Sequence, residues 1–402
     1  MSPRILCQEI ERGFYLLRVD DKGVNYFEGI WSIPERVTYN AYLLVGDDGA
    51  VLFDGWKALY ADDLIEVIGG IMSPRDLTHV IVHHVEPDHS GSLPKVLEAN
   101  GFRAEVVAHP MAKSMIESFY KISPRFRLVR DGEEIAAVGE RIMLIHTPWL
   151  HWPETMMSYL AGRKILIPCD AFGGYSIPRT IFDDDDEIVQ GYLPRVRKYV
   201  ATVIGFYRQH IIRNIEKLQG LQLDISIVAP AHGLVWRKNP RLIIDYYRSL
   251  AEGRPDGNKI LVVSGSMYGL MEEAARIAVE EVERLGGRAA SYWFNDLQQP
   301  PFSEIIGDAI DSRAIILAAP TYEAGVYPLI DNLVNLIVKK IPPKPVLILG
   351  SYGWAGAVAR RLSEKLAAAG FKIVEAIEFK GSPTEDDARR IRDSVRKLLE
   401  QS

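Results

Sequence analysis

Two apolar runs, Tyr42-Leu43-Leu44-Val45 and Ala50-Val51-Leu52-Phe53, flank the polar stretch Gly46-Asp47-Asp48-Gly49. Strand-prone runs around a Gly/Asp turn predict a β-hairpin. Helical spacing follows near Tyr60–Ile71, and Val80-Ile81-Val82 then predicts a strand. Further strands are expected at Ala104–Val107, Arg141–Ile145, Lys164–Ile167 and Ile225–Val228. They alternate with helical patterns at Pro110–Tyr120 and Ile188–Leu218, the latter mixing apolar positions with Arg and Lys that would cover an exposed face. The acidic run Asp183–Glu187 reads as a solvated helix start, where carboxylates suit the dipole.

Ala251-Glu252-Gly253-Arg254-Pro255-Asp256-Gly257-Asn258 is polar and rich in Gly and Pro, so it reads as a linker between domains at 1–252 and 253–402. Beyond it the pattern becomes regular strand–loop–helix alternation. Strands at Lys259–Val263, Ala289–Trp293, Ala314–Ala318, Pro345–Leu349 and Lys372–Ile377 predict an α/β doubly wound parallel sheet of flavodoxin type.

At 402 residues, 48% hydrophobic and 25% charged, the chain has the balance of an ordinary globular protein with more than one domain. A formal charge of −6 argues against nucleic acid or an anionic membrane as partner. No apolar run reaches transmembrane length, and Met1-Ser2-Pro3-Arg4 does not open a signal peptide, so a cytoplasmic location is expected. The two cysteines, Cys7 and Cys169, exclude a disulfide framework, a CxxC pair and any rubredoxin-like iron site within these residues.

The densest chemistry follows the strand at 80–82, in His84-Val85-Glu86-Pro87-Asp88-His89. Positions 84, 86 and 88 alternate, so an extended chain points all three to one side. Pro87 disfavours helix in the loop. Imidazoles and carboxylates packed this closely repel if charged and desolvate badly if buried, unless a cation resolves both. An ordinary polar surface loop is the weaker reading. His151, Asp170 and His232 each lie just past the carboxyl end of a predicted strand, as the 84–89 loop does. Donors from several strand ends can converge on one rim of a sheet.

Together these residues resemble the dinuclear signature of the metallo-β-lactamase fold, an αββα sandwich. With Glu86 at the third motif position and a flavodoxin-like domain behind, the chain looks like a flavodiiron protein, and the resemblance spans nearly all of it. Such proteins are cytoplasmic reductases of dioxygen or nitric oxide. The resemblance implies that His84, Glu86 and His151 bind the iron nearer the flavin. It implies that Asp88, His89 and His232 bind the second, and that Asp170 bridges the pair. In some members the residue matching His89 gives way to water. A carboxylate at position 86, where a dizinc hydrolase normally keeps His, favours iron and a low potential.

The remaining histidines take plainer readings. His83 faces away from its neighbour in a strand and is expected to be packed or to support a ligand. His146 is expected either to hydrogen-bond a ligand or to pack, and His79, His109 and His210 have no site. Tyr26, Phe27, Phe172 and Tyr175 lie near motif segments and are candidate pocket residues, with ordinary packing as the first reading. Cys169 is a small buried neighbour of Asp170.

In the second domain, Ser264-Gly265-Ser266-Met267-Tyr268-Gly269 follows the first strand and opens a helix, presenting backbone N–H groups and hydroxyls to an anion. Pro320-Thr321-Tyr322 and Ser351-Tyr352-Gly353-Trp354-Ala355-Gly356 follow later strands on the same edge. Glycines let backbone approach a planar ring, while Tyr322, Tyr352 and Trp354 can cover its faces. The three loops resemble flavodoxin and imply FMN. Leu270-Met271 depart from the hydroxyl residue usual there, leaving Ser264, Ser266 and backbone donors to the phosphate.

The leading expectation is a flavin-dependent diiron oxidoreductase reducing O2, NO or both. Electrons would come from a separate rubredoxin, a flavin reductase or reduced coenzyme F420. The family resemblance implies a head-to-tail homodimer or a homotetramer. The alternatives are a dizinc hydrolase tethered to a flavodoxin-like domain, and an electron-carrier or redox-sensing module with a structural metal. Metal analysis and flavin colour separate the three.

Overall fold

The computed structural model describes residues 3–402, which divide into two compact units. The first comprises residues up to Tyr199 together with Gln209–Arg248; the second comprises Val200–Arg208 and Ser249–Ser402.

The first unit opens with strands β1 (Arg4–Glu11) and β2 (Phe14–Asp21), then the two-residue pair β3 (Tyr26–Phe27) and β4 (Trp31–Ser32). The predicted hairpin follows as β5 (Val37–Gly46) and β6 (Gly49–Phe53), antiparallel, with Tyr42 opposite Phe53. Helix α1 (Ala61–Ile71) leads to β7 (Leu77–Val82), the one-turn α2 (Pro87–Ser90) and α3 (Leu93–Asn100). Then come β8 (Glu105–Ala108), α4 (Pro110–Tyr120) and β9 (Phe126–Leu128). A seven-stranded sheet runs β1-β2-β5-β6-β7-β8-β9. It is antiparallel through β6 and parallel beyond. The second sheet is β10 (Glu133–Ala137), β11 (Glu140–His146), β12 (Met156–Leu160), β13 (Ile165–Ile167) and β14 (Ile227–Val228), in that order.

Alternation along these strands turns one face of each sheet inward. Leu16, Tyr42, Leu44, Phe53 and Val107 from the first sheet share one buried core with Ile135, Ile142, Leu144, Met156 and Ile167 from the second. This core stacks the sheets as a metallo-β-lactamase-like sandwich and brings strand ends to a common rim.

The expected single helix at 188–218 is instead α5 (Asp186–Tyr199) and α6 (Arg208–Gly220), interrupted by a π turn at Val200–Ile204 and a 3-10 turn at Gly205–Tyr207. The break belongs to the second unit's packing: a Cβ on Gly205 would lie 2.8 Å from the Lys340 carbonyl oxygen, and Lys340 Nζ donates to Thr202 O at 2.5 Å. Periodicity alone does not register an element that leaves its helix to join another core. The acidic run also differs from expectation. Asp183 is buried and accepts from the backbone N–H groups of Arg237, Lys238 and Asn239, tying the start of α5 to the loop after β14.

Helix α7 (Pro240–Glu252) extends into the expected linker. The second unit then alternates β15 (Lys259–Gly265), α8 (Leu270–Arg284), β16 (Arg288–Phe294), α9 (Phe302–Ile310) and β17 (Ala314–Tyr322). After the short β18 (Gly325–Val326) come α10 (Pro328–Lys340), β19 (Pro345–Tyr352), α11 (Val358–Ala368), β20 (Lys372–Lys380) and α12 (Glu385–Gln401). The main strands are parallel in the order β16-β15-β17-β19-β20, the flavodoxin arrangement, whose ligand edge lies at the carboxyl ends of the strands. Both faces are covered, so β15 reads as an unbroken buried run rather than an alternating one. Among the described residues no helix is long and apolar enough to cross a membrane.

Candidate metal centre and flavin edge

Asp170 organises the first unit's rim. Its Oδ2 lies 3.6 Å from His84 Nε2 and 3.5 Å from His151 Nε2, and Glu86 Oε2 lies 3.2 and 2.9 Å from the same two nitrogens. Its Oδ1 lies 3.0 Å from His89 Nε2 and 3.1 Å from His232 Nε2. Asp88 completes that second group, 3.4 Å from His89 Nε2 and 3.6 Å from His232 Nε2. All seven expected donors thus form two adjoining sets that share one carboxylate. Donor atoms about 2.0–2.2 Å from one cation stand roughly 3–3.6 Å apart, so these spacings suit a metal in each set.

Local backbone aims the donors. The loop does not stay extended through position 88: Pro87 is the first residue of α2, where its missing N–H costs nothing. The turn therefore sends Asp88 and His89 to the second set and leaves His84 and Glu86 in the first. Cys169, between β13 and Asp170, has φ 53°, and Trp149, shortly before His151, has φ 66°. Non-glycine residues held there concentrate at functional sites.

Outer hydrogen bonds fix three of the candidate donors. His84 Nδ1 donates to Glu154 Oε1 at 2.8 Å, and the same oxygen accepts from Val85 N–H. His232 Nδ1 donates to Thr38 O at 2.7 Å, and Tyr199 O–H to Asp170 Oδ1 at 2.9 Å. Sequence reasoning missed Glu154, Thr38 and Tyr199. Only Glu154 carried a signal, as a carboxylate three positions after His151. His83 points away, bonded to Asp54 and Ser158 and stacked on Phe53. His146 bonds Val129 O rather than any ligand, and His79, His109 and His210 stay outside the cluster. Phe27 stands edge-on to His232 and Tyr175 packs against both Phe27 and Tyr199, while Tyr26 is exposed and Phe172 packs on Tyr247.

The electrostatics fit cations. Burial would lower the His84, His89 and His151 imidazoles, yet the surrounding carboxylates push each up to about 10. Burial likewise raises the Glu86 carboxyl, but bonds from His151 and His84 hold it well below the usual range. The surroundings thus favour positive charge at this place, and metal binding would compete with imidazole protonation. Both Asp88 oxygens, Asp170 Oδ2 and His232 Nε2 are buried without a hydrogen-bond partner. Such atoms are costly unless a ligand satisfies them, and the mixed carboxylate–imidazole set suits iron.

On the second unit a cavity of about 540 Å³ lies at the carboxyl ends of β15, β17 and β19. Ser266, Met267, Tyr268, Pro320, Thr321, Tyr322, Ser351, Tyr352, Gly353 and Trp354 line it, as expected of those loops. So do Leu270 and Met271, the departure noted in that loop, with Ala355, and also Glu323, Ala324 and Gly381, which were not singled out. Ser264, Gly265, Gly269 and Gly356 do not reach its wall. Their parts are indirect: a Cβ on Gly265 would meet Tyr327 at 2.5 Å, one on Gly356 would meet Glu378 at 2.8 Å, and Gly269 N–H donates to Ser266 Oγ. Ser264 Oγ is buried without a partner beneath the loop that opens α8. Tyr268 and Trp354, 85% and 94% exposed, are aromatic walls of this cavity. An orphaned hydroxyl, a helix N-terminus and aromatic walls suit a phosphate-bearing planar ring such as FMN.

Fold and site define a class: a buried His/carboxylate donor cluster in a β-lactamase-like sandwich, followed by a flavodoxin-like sheet with a cavity at its ligand edge. Family comparison agrees. Residues 37–233 match the ODP family beta lactamase model, and residues 262–393 match Flavodoxin. A flavo di-iron protein mutant from Thermotoga maritima is 39% identical, with a TM-score of 0.94 over 99% of each chain. A nitric oxide reductase from Moorella thermoacetica is 29% identical over 91% of this chain and 90% of its own length. A rubredoxin-oxygen oxidoreductase from Megalodesulfovibrio gigas is 28% identical over 94% of each. The chain belongs to the flavodiiron protein family.

Proposed function

We propose that this protein reduces dioxygen to water, nitric oxide to nitrous oxide, or both, using electrons from an external donor. The observation that carries the reading is Asp170, whose two oxygens face two separate His/carboxylate sets. In this reading His84, Glu86 and His151 would hold one iron and Asp88, His89 and His232 the other, with Asp170 serving both sets. The diiron pair would supply concerted electron delivery to a bound diatomic, and FMN in the second unit's cavity would refill it. Around it, Glu154 orients His84 and Thr38 O orients His232, fixing both as Nε2 ligands. Tyr199 holds a proton at Asp170 Oδ1. Phe27 and Tyr175 exclude water on the His232 side.

Ser264, Ser266 and the start of α8 would take the FMN phosphate, with Tyr322, Tyr352 and Trp354 beside the ring. Rubredoxin, a flavin reductase or reduced coenzyme F420 are the donor chemistries proposed. We place the functional division at 252/253 and assign a head-to-tail homodimer or homotetramer by family resemblance.

The test is anaerobic reduction of the iron- and FMN-loaded protein, followed by separate oxygen and nitric oxide consumption. Turnover of neither gas, with zinc rather than iron on metal analysis, would return the reading to hydrolysis. Glu86→His is expected to fold but to lose iron and gas consumption. Full oxygen consumption by that variant would sink the role of Glu86.

A further inference from the structure

A cavity of about 390 Å³ opens at the free edge of the first sheet, and none of the expected metal donors lines it. Edge strand β1 lends it Arg4, Leu6 and Gln8, spaced by two and therefore on one face. Arg18 on β2 stands opposite Leu6 in the ladder, and the segment 178–184 forms the other wall.

The charge here is unbalanced. Arg18 is only 1% exposed; its Nε donates to Asp20 at 2.6 Å and its Nη2 to Pro178 O at 3.1 Å. Its Nη1 has no hydrogen-bond partner among the described residues. Arg4 and Arg179, also in the wall, have no ion pair among the described residues. The wall's carboxylate, Asp184, is taken by Arg237, and Asp20 is taken by Arg18. Two guanidinium groups are thus left over beside a third that is buried. Burial, with Arg4 adding to it, makes the Arg18 cation harder to hold. An anion among the three would relieve that.

The rest of the wall is Leu6, Pro178, Ile181 and Phe182, with Gln8 and Thr180 as its uncharged polar members. Ile181 and Phe182 pack onto the inter-sheet core, and the Arg237 guanidinium covers the Phe182 ring at 3.6 Å. Guanidinium forks match phosphate oxygens, and an apolar wall of this size admits a body larger than phosphate alone.

We propose that this cavity binds a phosphate monoester with an apolar body. Its oxygens sit among Arg4, Arg18 and Arg179, and its body lies against Leu6 and Phe182.

The test is titration calorimetry on the iron- and FMN-loaded protein with phenyl phosphate, inorganic phosphate and benzyl alcohol. Phenyl phosphate is expected to bind saturably and at least tenfold more tightly than either other probe. Arg4→Ala and Arg179→Ala, both at exposed positions, are each expected to weaken it tenfold or more while leaving gas consumption unchanged. Absence of saturable binding would overturn the proposal. So would equal binding by both variants, which places the probe elsewhere, or inorganic phosphate binding as tightly as phenyl phosphate.

Discussion

Individual residues here act through what their neighbours leave unsatisfied. Glu154 is fully buried and gives one oxygen to both His84 Nδ1 and Val85 N–H. Outer carboxylates of this kind set tautomer and ligand basicity. Glu154→Gln is therefore expected to weaken metal binding about 10- to 100-fold without unfolding the chain, measured by competition with a chelator. Lys344 shows the reverse situation. Burial pushes its ammonium down to about 8; Asp311 offsets this in part, Lys259 opposes that offset, and Gly253 O accepts its hydrogen bond. The unfolded lysine keeps its proton to a higher pH than the folded one, so stability from this group rises as pH climbs from about 8 towards 10. Lys344→Met is expected to stabilise the protein at pH 7, by on the order of 1–3 kcal/mol, with the gain shrinking above pH 8. Denaturant unfolding at pH 7 and pH 9.5 checks both signs.

Elements place these residues by how they end. Strand β15 stops where Gly265 passes under α10, with no room for a methyl group against Tyr327 or Ile330. Gly265→Ala is expected to cost about 1–3 kcal/mol by overpacking and to lower FMN affinity by shifting the loop to Ser266. Fluorescence titration with FMN and thermal unfolding read the two effects. Element type was legible wherever period and punctuation agreed. The hairpin β5–β6 and helix α4 fall where the pattern put them, because a Gly-flanked turn and a Pro start are local signals. Strand β12 was missed: Met156–Leu160 is buried at every position, so it shows no alternation. The break between α5 and α6 was missed because 200–208 pack with the other unit, which no local period encodes. At α2, Pro87 was read as disfavouring helix when it starts one.

For the molecule as a whole, metal in the proposed site would be a stability term as well as a functional one. Removing cations leaves Asp88, Asp170 and His232 atoms buried without partners. Chelated protein is expected to unfold at lower temperature, and iron to restore stability by about 2.7 kcal/mol at a hundredfold excess over Kd. Scanning calorimetry on chelated and reloaded protein tests this, and an unchanged midpoint would remove the metal from the folding energetics. The sequence by itself determined the donor types, their positions after strand ends and the change of pattern near residue 252. These are local consequences of composition and period. Only the tertiary structure decided that Asp170 turns one oxygen to each donor set, that Glu154 and Tyr199 stand behind the ligands, and that three arginines meet at the sheet edge. The reason is physical: such contacts join residues far apart in the chain, brought together by a shared core that buries both sheets.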